Sequence, residues 1–263
     1  MHLLRLLWSF ARVSLQEEMA SRAHVAISLL HSLLNLATGV LALTIVFGQT
    51  QALEGWTYPG ALALLGVYLI LSATNRLVIG TSLNALAGLM GEIYTGAFDY
   101  TLLRPVPAQF LASFRKWQFM AVVDMGLAMG VLIWAMASLD QPLTLMRMAT
   151  FGAALASAAT IYYALLLSFA ALVLWSPGLL FTWVFNSLWQ LARYPVGIYP
   201  GWLRLVLTWI VPITFVTTVP AQALVGSLSP TMMGASIGMA LLLLVGASQL
   251  FRIGLGRYAS ASS

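Results

Sequence analysis

Apolar runs of bilayer-crossing length recur along this whole chain, separated by polar stretches too short to fold on their own. A bilayer core needs about 20 consecutive apolar residues of helix. Within it every backbone donor and acceptor must be satisfied inside the spanning structure. The sequence therefore predicts an all-α polytopic membrane protein, a single transmembrane domain over residues 1–263. A soluble globule is excluded by composition: 7% of the residues are charged and 61% hydrophobic. Ordinary soluble domains carry about 25% charged residues, so this chain has too little charge to cover a water-facing surface.

The spacing predicts six spans, at about 23–48, 58–80, 117–137, 148–175, 203–219 and 231–251. Residues 1–22 read as an interfacial helix, with Arg5, Ser9, Arg12 and Gln16 on one face and Leu3, Leu7, Trp8 and Phe10 off it. No small-residue cleavage site follows this segment, so it is not read as a removed signal peptide. Residues 178–193 are apolar but short for a span, and Thr182, Asn186, Gln190 and Arg193 share one helical face, which predicts a second interfacial helix. Pro212 removes a backbone donor and is expected to kink the fifth span. Residues 220–229 form a short outer element, and Ser229-Pro230 has the form of a helix start.

Charge placement orients this arrangement. With the N-terminus inside, Arg5, Arg12, Arg22, Arg104, Arg115, Lys116, Arg193, Arg204, Arg252 and Arg257 fall inside, Arg147 falls outside, and Arg76 lies near an inner boundary. Basic residues gather on the cytoplasmic side of membrane proteins, so both termini are expected there. A seventh span over 178–193 would move Arg252 and Arg257 outside. The same placement accounts for the net charge of +5 without a nucleic acid as partner.

Catalytic signatures are missing. The chain has no GxxxxGK[ST] phosphate loop, no HExxH and no cysteine, and its single lysine, Lys116, stands in FRKWQF. His24 and His31 are seven residues apart with too few further ligands for a metal, so hydrogen bonding is the expected use. Intramembrane charge is more informative. Arg76 and Asp124 should both lie in the inner leaflet, as an ion pair locking two helices or snorkelling separately, rather than as a proton or substrate site. Asn35 and Asn75 raise the same question. GxxxG pairs at Gly126/Gly130 and Gly234/Gly238 permit close helix packing, within the subunit or between subunits. After the second span comes GEIYTGAFDYTLLRPVP, with charges at Glu92, Asp99 and Arg104, the apolar pair Leu102-Leu103, and Pro105 and Pro107 as stops. A short helix of this kind can transmit force from a soluble partner.

Two stretches carry a resemblance. IYTGAFDYTLLRPVPAQF (residues 93–110) and ARYPVGIYPGWLRLVLTWIVPITFVTTVPAQALVG (residues 192–226), with the spacing of the spans, resemble the permease subunits of type-2 ABC exporters, in a subgroup with six spans. The resemblance implies a half-transporter of the bacterial cytoplasmic (inner) membrane. Two permease chains, identical or homologous, would pair with two copies of an ATPase that holds ATP and Mg, and this chain would carry no cofactor of its own. It implies that residues 1–22 match the elbow helix, that Gly91 to Arg104 match the coupling helix, and that the stretch after the fifth span matches a short outer, partly re-entrant element before the last span. The ATPase-coupling candidates are Glu92, Gly96, Asp99, Leu102, Leu103, Arg104 and Pro105. The second and fifth spans would line the pathway, with Asn75, Thr208 and Pro212 as candidates, for a hydrophobic or amphipathic cargo. The rival is a proton- or ion-coupled secondary transporter using Asp124, which would normally show broken helices in related halves; no convincing repeat is present. A membrane-embedded enzyme is disfavoured by the missing catalytic constellation.

Overall fold

Apart from one short bridge in a turn, the regular elements among the described residues are all helical, which is the form that buries its backbone polar groups without a neighbour's help. The computed structural model describes residues 2–19, 22–139, 142, 144–176 and 181–258, and their side chains except at 2–4, 19, 22–24 and 181–182. The readings placed on Leu3, Arg22, His24 and Thr182 therefore lie outside the described side chains.

In chain order the helices are α1 (His2–Met19), α2 (Arg22–Gln49), α3 (Tyr58–Thr74) and α4 (Gly80–Asn84). Then come α5 (Asp99–Leu102), α6 (Ala108–Phe114), α7 (Ala121–Ala137) and α8 (Leu145–Trp175). The last four are α9 (Phe181–Gln190), α10 (Gly201–Leu205), α11 (Val219–Val225) and α12 (Pro230–Arg257). A π turn over Asn75–Ile79 joins α3 to α4, so one apolar helix runs from Tyr58 to Asn84. Its start is set by Thr57 as N-cap with Pro59 in the first turn. Thr144 and Ser229 cap α8 and α12 by accepting from the amides of Arg147 and Met232. Four helices are long and apolar enough to cross a membrane, and α7 is a shorter apolar helix.

The core is apolar throughout, with α3 at its centre. Residues 60–71 of α3 are buried all round, and α3 packs along α7 while α8 packs along α12. The α3–α7 approach depends on Gly66, where a Cβ would sit 3.2 Å from Leu132 Cα. Two ends can be told apart. At one, Leu53 and Trp56 exchange backbone hydrogen bonds of 3.0 and 2.9 Å around Glu54 (φ 49) and Gly55 (φ 81). This tight turn needs two left-handed residues. At the other end lies the connection containing Glu92.

The described part of the 178–193 stretch begins with α9, which carries both buried and exposed residues. Within α9, Phe185 and Trp189 are buried, and Phe185 meets Tyr162 and Phe169 with ring centroids 5.4 and 5.7 Å apart. Trp189 stacks on Tyr68 at 5.1 Å and donates its indole N–H to Ser72 Oγ (2.8 Å). Short 3-10 turns at Leu191–Arg193 and Val196–Ile198 then carry the chain to the Glu54 end, where a Cβ on Gly197 would lie 3.3 Å from Glu54 Cβ. The polar face read from the sequence is present: Asn186, Gln190 and Arg193 line an open cavity, with Asn186 and Gln190 exposed.

The expected fifth span over 203–219 is likewise two pieces. Helical segments Gly201–Ile210 and Thr214–Val225 meet at 75° across Val211, Pro212 and Ile213. Each contains a π turn, Val206–Ile210 and Thr214–Thr218. Arg204 lies 3.9 Å from Glu54, and Val225 packs 3.5 Å from the Cβ position of Gly60. Both outer ends of the bent stretch therefore sit at the Glu54 end. Arg204, expected inside with the other basic residues, is at that end too, beside Arg147, whose Nη2 donates to Val225 O at 2.7 Å.

Candidate functional site

Two places bring the candidate residues together. The first is the connection between α4 and α7. Here the chain folds back on itself: the Glu92 amide donates to Ala85 O and the Phe98 amide to Glu92 O, each at 2.9 Å. Gly88 (φ 82) and Gly96 (φ 75) make its turns in the left-handed region, where a side chain is strained. Ile93 and Phe98 are buried as plugs, and the Phe98 ring meets Tyr258, just past α12, edge to face at 5.7 Å. Burial, then the neighbouring Asp99, push the Tyr258 hydroxyl up to about 12.

Of the residues expected to be helical here, only Asp99–Leu102 are. Glu92 is not the surface charge the sequence implied. Its carboxylate is turned inward, pairing with Arg115 and, at 3.0 Å, with Lys116 Nζ, while Arg115 also donates to Thr101 Oγ1 at 2.7 Å. Removing water from an apolar loop leaves a carboxylate needing cations, and the adjacent Arg115-Lys116 supplies two. The remaining coupling candidates, Leu102, Leu103, Arg104 and Pro105, are exposed. With them stand Leu89, Met90 (94% exposed) and Tyr100, so a rigid, pinned loop presents an apolar face outward.

The second place is a cavity of about 420 Å³ between α2, α3, α7, α8 and the 186–193 stretch. Arg76, in the π turn after α3, reaches across to Asp124 in the first turn of α7, with Nη2 3.1 Å from Oδ2. The two side chains are 27% and 14% exposed. A carboxylate in a first turn also faces the positive end of its helix. Asn75 lines the same cavity. Thr208 and Pro212 do not: Thr208 Oγ1 sits 3.0 Å from Thr214 Oγ1 across the 211–213 break. All three pathway candidates nevertheless lie in or beside π turns, a geometry found often at functional sites.

Several contributors are invisible to motif reading. Arg193 donates to Asn35 Oδ1 and lies 5.3 Å from the Tyr68 ring centroid; Tyr162 and Trp189 complete the wall. The i, i+4 pair Asn186–Gln190 was the available signal for this lining. Glu18 was missed as well. Its carboxylate accepts from the amides of Phe119 (2.6 Å) and Met120 (3.1 Å), and Ser14 Oγ accepts from the Trp117 amide (3.2 Å). Through them α1 clamps the start of α7.

Among the described residues no cluster of His, Asp and Glu could hold a metal. A family model described as "ABC-2 family transporter protein" matches residues 33–262. No curated protein and no solved structure matches the chain. The match runs from within α2 to beyond α12, and it implies a membrane-embedded transport subunit working with a separate ATPase, so the chain belongs to the ABC-2 transporter family as a multi-pass membrane permease.

Proposed function

We propose that this permease is half of an ATP-driven exporter that moves a hydrophobic or amphipathic substrate out across a bacterial inner membrane by alternating access. A second permease chain, identical or homologous, completes the pathway, and a pair of ATPase subunits holds ATP and Mg. The observation that carries the reading is the apolar face of Met90, Tyr100, Leu102 and Leu103 on a loop pinned by Glu92, Arg115 and Phe98. A contiguous apolar patch on a rigid loop marks a protein interface, with apolar residues at its centre and charges such as Asp99 and Arg104 at its rim.

The loop is cytoplasmic in this reading. Arg104, Arg115, Lys116, Arg252 and Arg257 gather at its end of the molecule, against Arg147 and Arg204 at the other. The chain then crosses six times, in α2, α3–α4, α7, α8, residues 181–199 and α12, with both termini in the cytoplasm. Residues 201–225 dip in from the outer side and return to it. The contacts of Arg204 with Glu54 and of Val225 with Gly60 support that course.

Replacing Leu102 and Leu103 together by Ala tests the reading. The ATPase should no longer co-purify with the permease, or its hydrolysis should become independent of transport, while membrane insertion is unchanged. Normal assembly and coupling in that variant would reduce the loop to a tether. A cysteine at Gly201 should be labelled from outside intact cells, whereas labelling only from inside would overturn the six-crossing course.

A further inference from the structure

The cavity between α2, α3, α7, α8 and residues 186–193 has a charge imbalance. Among the described residues lining it are two guanidinium groups, Arg76 and Arg193, and one carboxylate, Asp124. Asp124 belongs to Arg76. Among the described residues Arg193 has only the neutral Asn35 amide and the face of Tyr68. An aromatic quadrupole attracts a cation but brings no charge to neutralise it, and a charge inside a membrane protein normally finds a counter-charge.

One donor of the cavity lining also closes no hydrogen bond. Arg193 Nε is buried without a partner, whereas the buried Tyr162 hydroxyl has the Asn75 side chain as its hydrogen-bond partner. A cavity built for emptiness or for an alkyl chain would not hold an unused N–H donor on a spare positive charge. It fits an anionic group that accepts from Arg193.

A second space continues from the first. Leu36 and Leu127 line both the polar cavity and an open apolar groove between α2 and α7 that extends past Gly126 and Gly130 to Trp134. From Leu127 to Trp134 it covers about 10 Å of helix. Gly126 and Gly130 have nothing within 4 Å of their Cβ positions, so no helix of this subunit packs on them. The polar chamber and apolar groove together have the outline of an amphiphile.

We propose that these joined spaces bind an amphiphile with a single anionic head, carboxylate or phosphate, its head on Arg193 and its chain in the α2–α7 groove. This names the substrate class for the exporter reading above and rests on it for the step of transport; the binding itself does not require the ATPase.

The test uses the purified full chain in nanodiscs of uncharged phosphatidylcholine, with three probes: spin-labelled stearate, its methyl ester, and inorganic phosphate. Stearate should be immobilised by the protein at least about tenfold more tightly than either other probe, the scale of one charge-assisted contact. Arg193→Gln should abolish that margin, Arg193→Lys should retain part of it, and Leu127→Trp should weaken stearate through the groove. Co-purification of the ATPase with each variant reports that the fold survives, and it fails separately if the exporter reading is wrong. Equal binding of acid and methyl ester would overturn the proposal in favour of a plain lipid groove. Binding of phosphate as tight as stearate would overturn it in favour of a free-anion site. If Leu127→Trp changes the oligomeric state and leaves stearate untouched, the groove belongs to a second copy of the chain and the proposal falls.

Discussion

Replacing Glu92 by Gln removes one negative charge with almost no change of shape, and the structure sets what that costs. One carboxylate oxygen is shared by Arg115 and Lys116, while the other is buried without a hydrogen-bond partner. The Glu92 and Arg115 side chains are 13% and 21% exposed, but Lys116 is 49% exposed. Taking one partner from a buried pair costs about 3–5 kcal/mol, and an exposed one such as Lys116 contributes roughly 0.5 kcal/mol. A loop next to water softens the first figure, so opening of residues 85–103 should become easier by about 2–4 kcal/mol. Local opening is read by hydrogen exchange, and this change accelerates it by roughly 30-fold or more. The amides to follow are those of Glu92 and Phe98, which are bonded to Ala85 O and Glu92 O. Lys116→Met should change the same rates by less than about threefold. Unchanged exchange in Glu92→Gln, or equal acceleration in both variants, would show that the loop is held by its plugs Ile93 and Phe98 and that the buried charges are incidental.

Arg76→Met and Asp124→Leu should each lower the stability of the detergent-solubilised chain by about 2–4 kcal/mol, and the double variant by less than their sum; additive losses would refute a pair. Glu18→Ala removes the anion bonded to two amides at the start of α7 and should cost about 1–2 kcal/mol in thermal unfolding, and no loss would mean that α1 rests on lipid alone. The Tyr258 hydroxyl, raised to about 12 from 10.0, is held neutral by the fold, so its contribution is full below pH 10 and disappears as pH rises toward 12. Tyr258→Phe should lower the late-titrating phenolate absorbance by the share of one tyrosine, and no such decrease would show that the hydroxyl is not held neutral by its surroundings.

The parts of this fold legible in the sequence are those governed by apolar run length. The helices Arg22–Gln49, Tyr58–Asn84, Leu145–Trp175 and Pro230–Arg257 follow from hydropathy and from caps such as Thr57 and Ser229. The 181–225 region is less legible for a definite reason. Composition cannot distinguish a polar stripe facing headgroups from one lining a cavity, and Asn186, Gln190 and Arg193 line one. Run length is a weaker guide there too, because the 3-10 turns at Leu191–Arg193 and Val196–Ile198 rise further per residue than an α-helix does. At the Glu92 loop, the exposed pair Leu102-Leu103 could be read from composition. The inward turn of Glu92 could not, since it depends on Arg115 and Lys116 returning to it from 23 and 24 positions along the chain.

The loop and the cavity share a mechanical connection whose bonds can be followed one by one. Arg115 and Lys116 hold Glu92 by their side chains, while the Lys116 backbone both donates to Ser82 Oγ (2.8 Å) and accepts from it (2.9 Å). Two residues on, the Gln118 amide donates to Leu77 O at 2.9 Å, inside the π turn that carries Arg76. Four residues after Met120, whose amide Glu18 caps together with that of Phe119, stands Asp124 at 3.1 Å from Arg76. The strap 115–120 is thus tied to the loop at one end and to α4 and the π turn along its length, and it leads directly into the helix bearing the other half of the ion pair. A displacement of the pinned loop against the bundle must either break the Ser82 and Leu77 bonds or move the π turn and the start of α7 with it. A π turn is the part of a helix least committed to its register, because each residue there bonds one position further along than in the α form. Asn75 and Arg76, two of the polar residues at the cavity wall, sit in that turn. A force applied at Leu102 and Leu103 would therefore reach the cavity where its polar lining is set on the helix segment most able to change register.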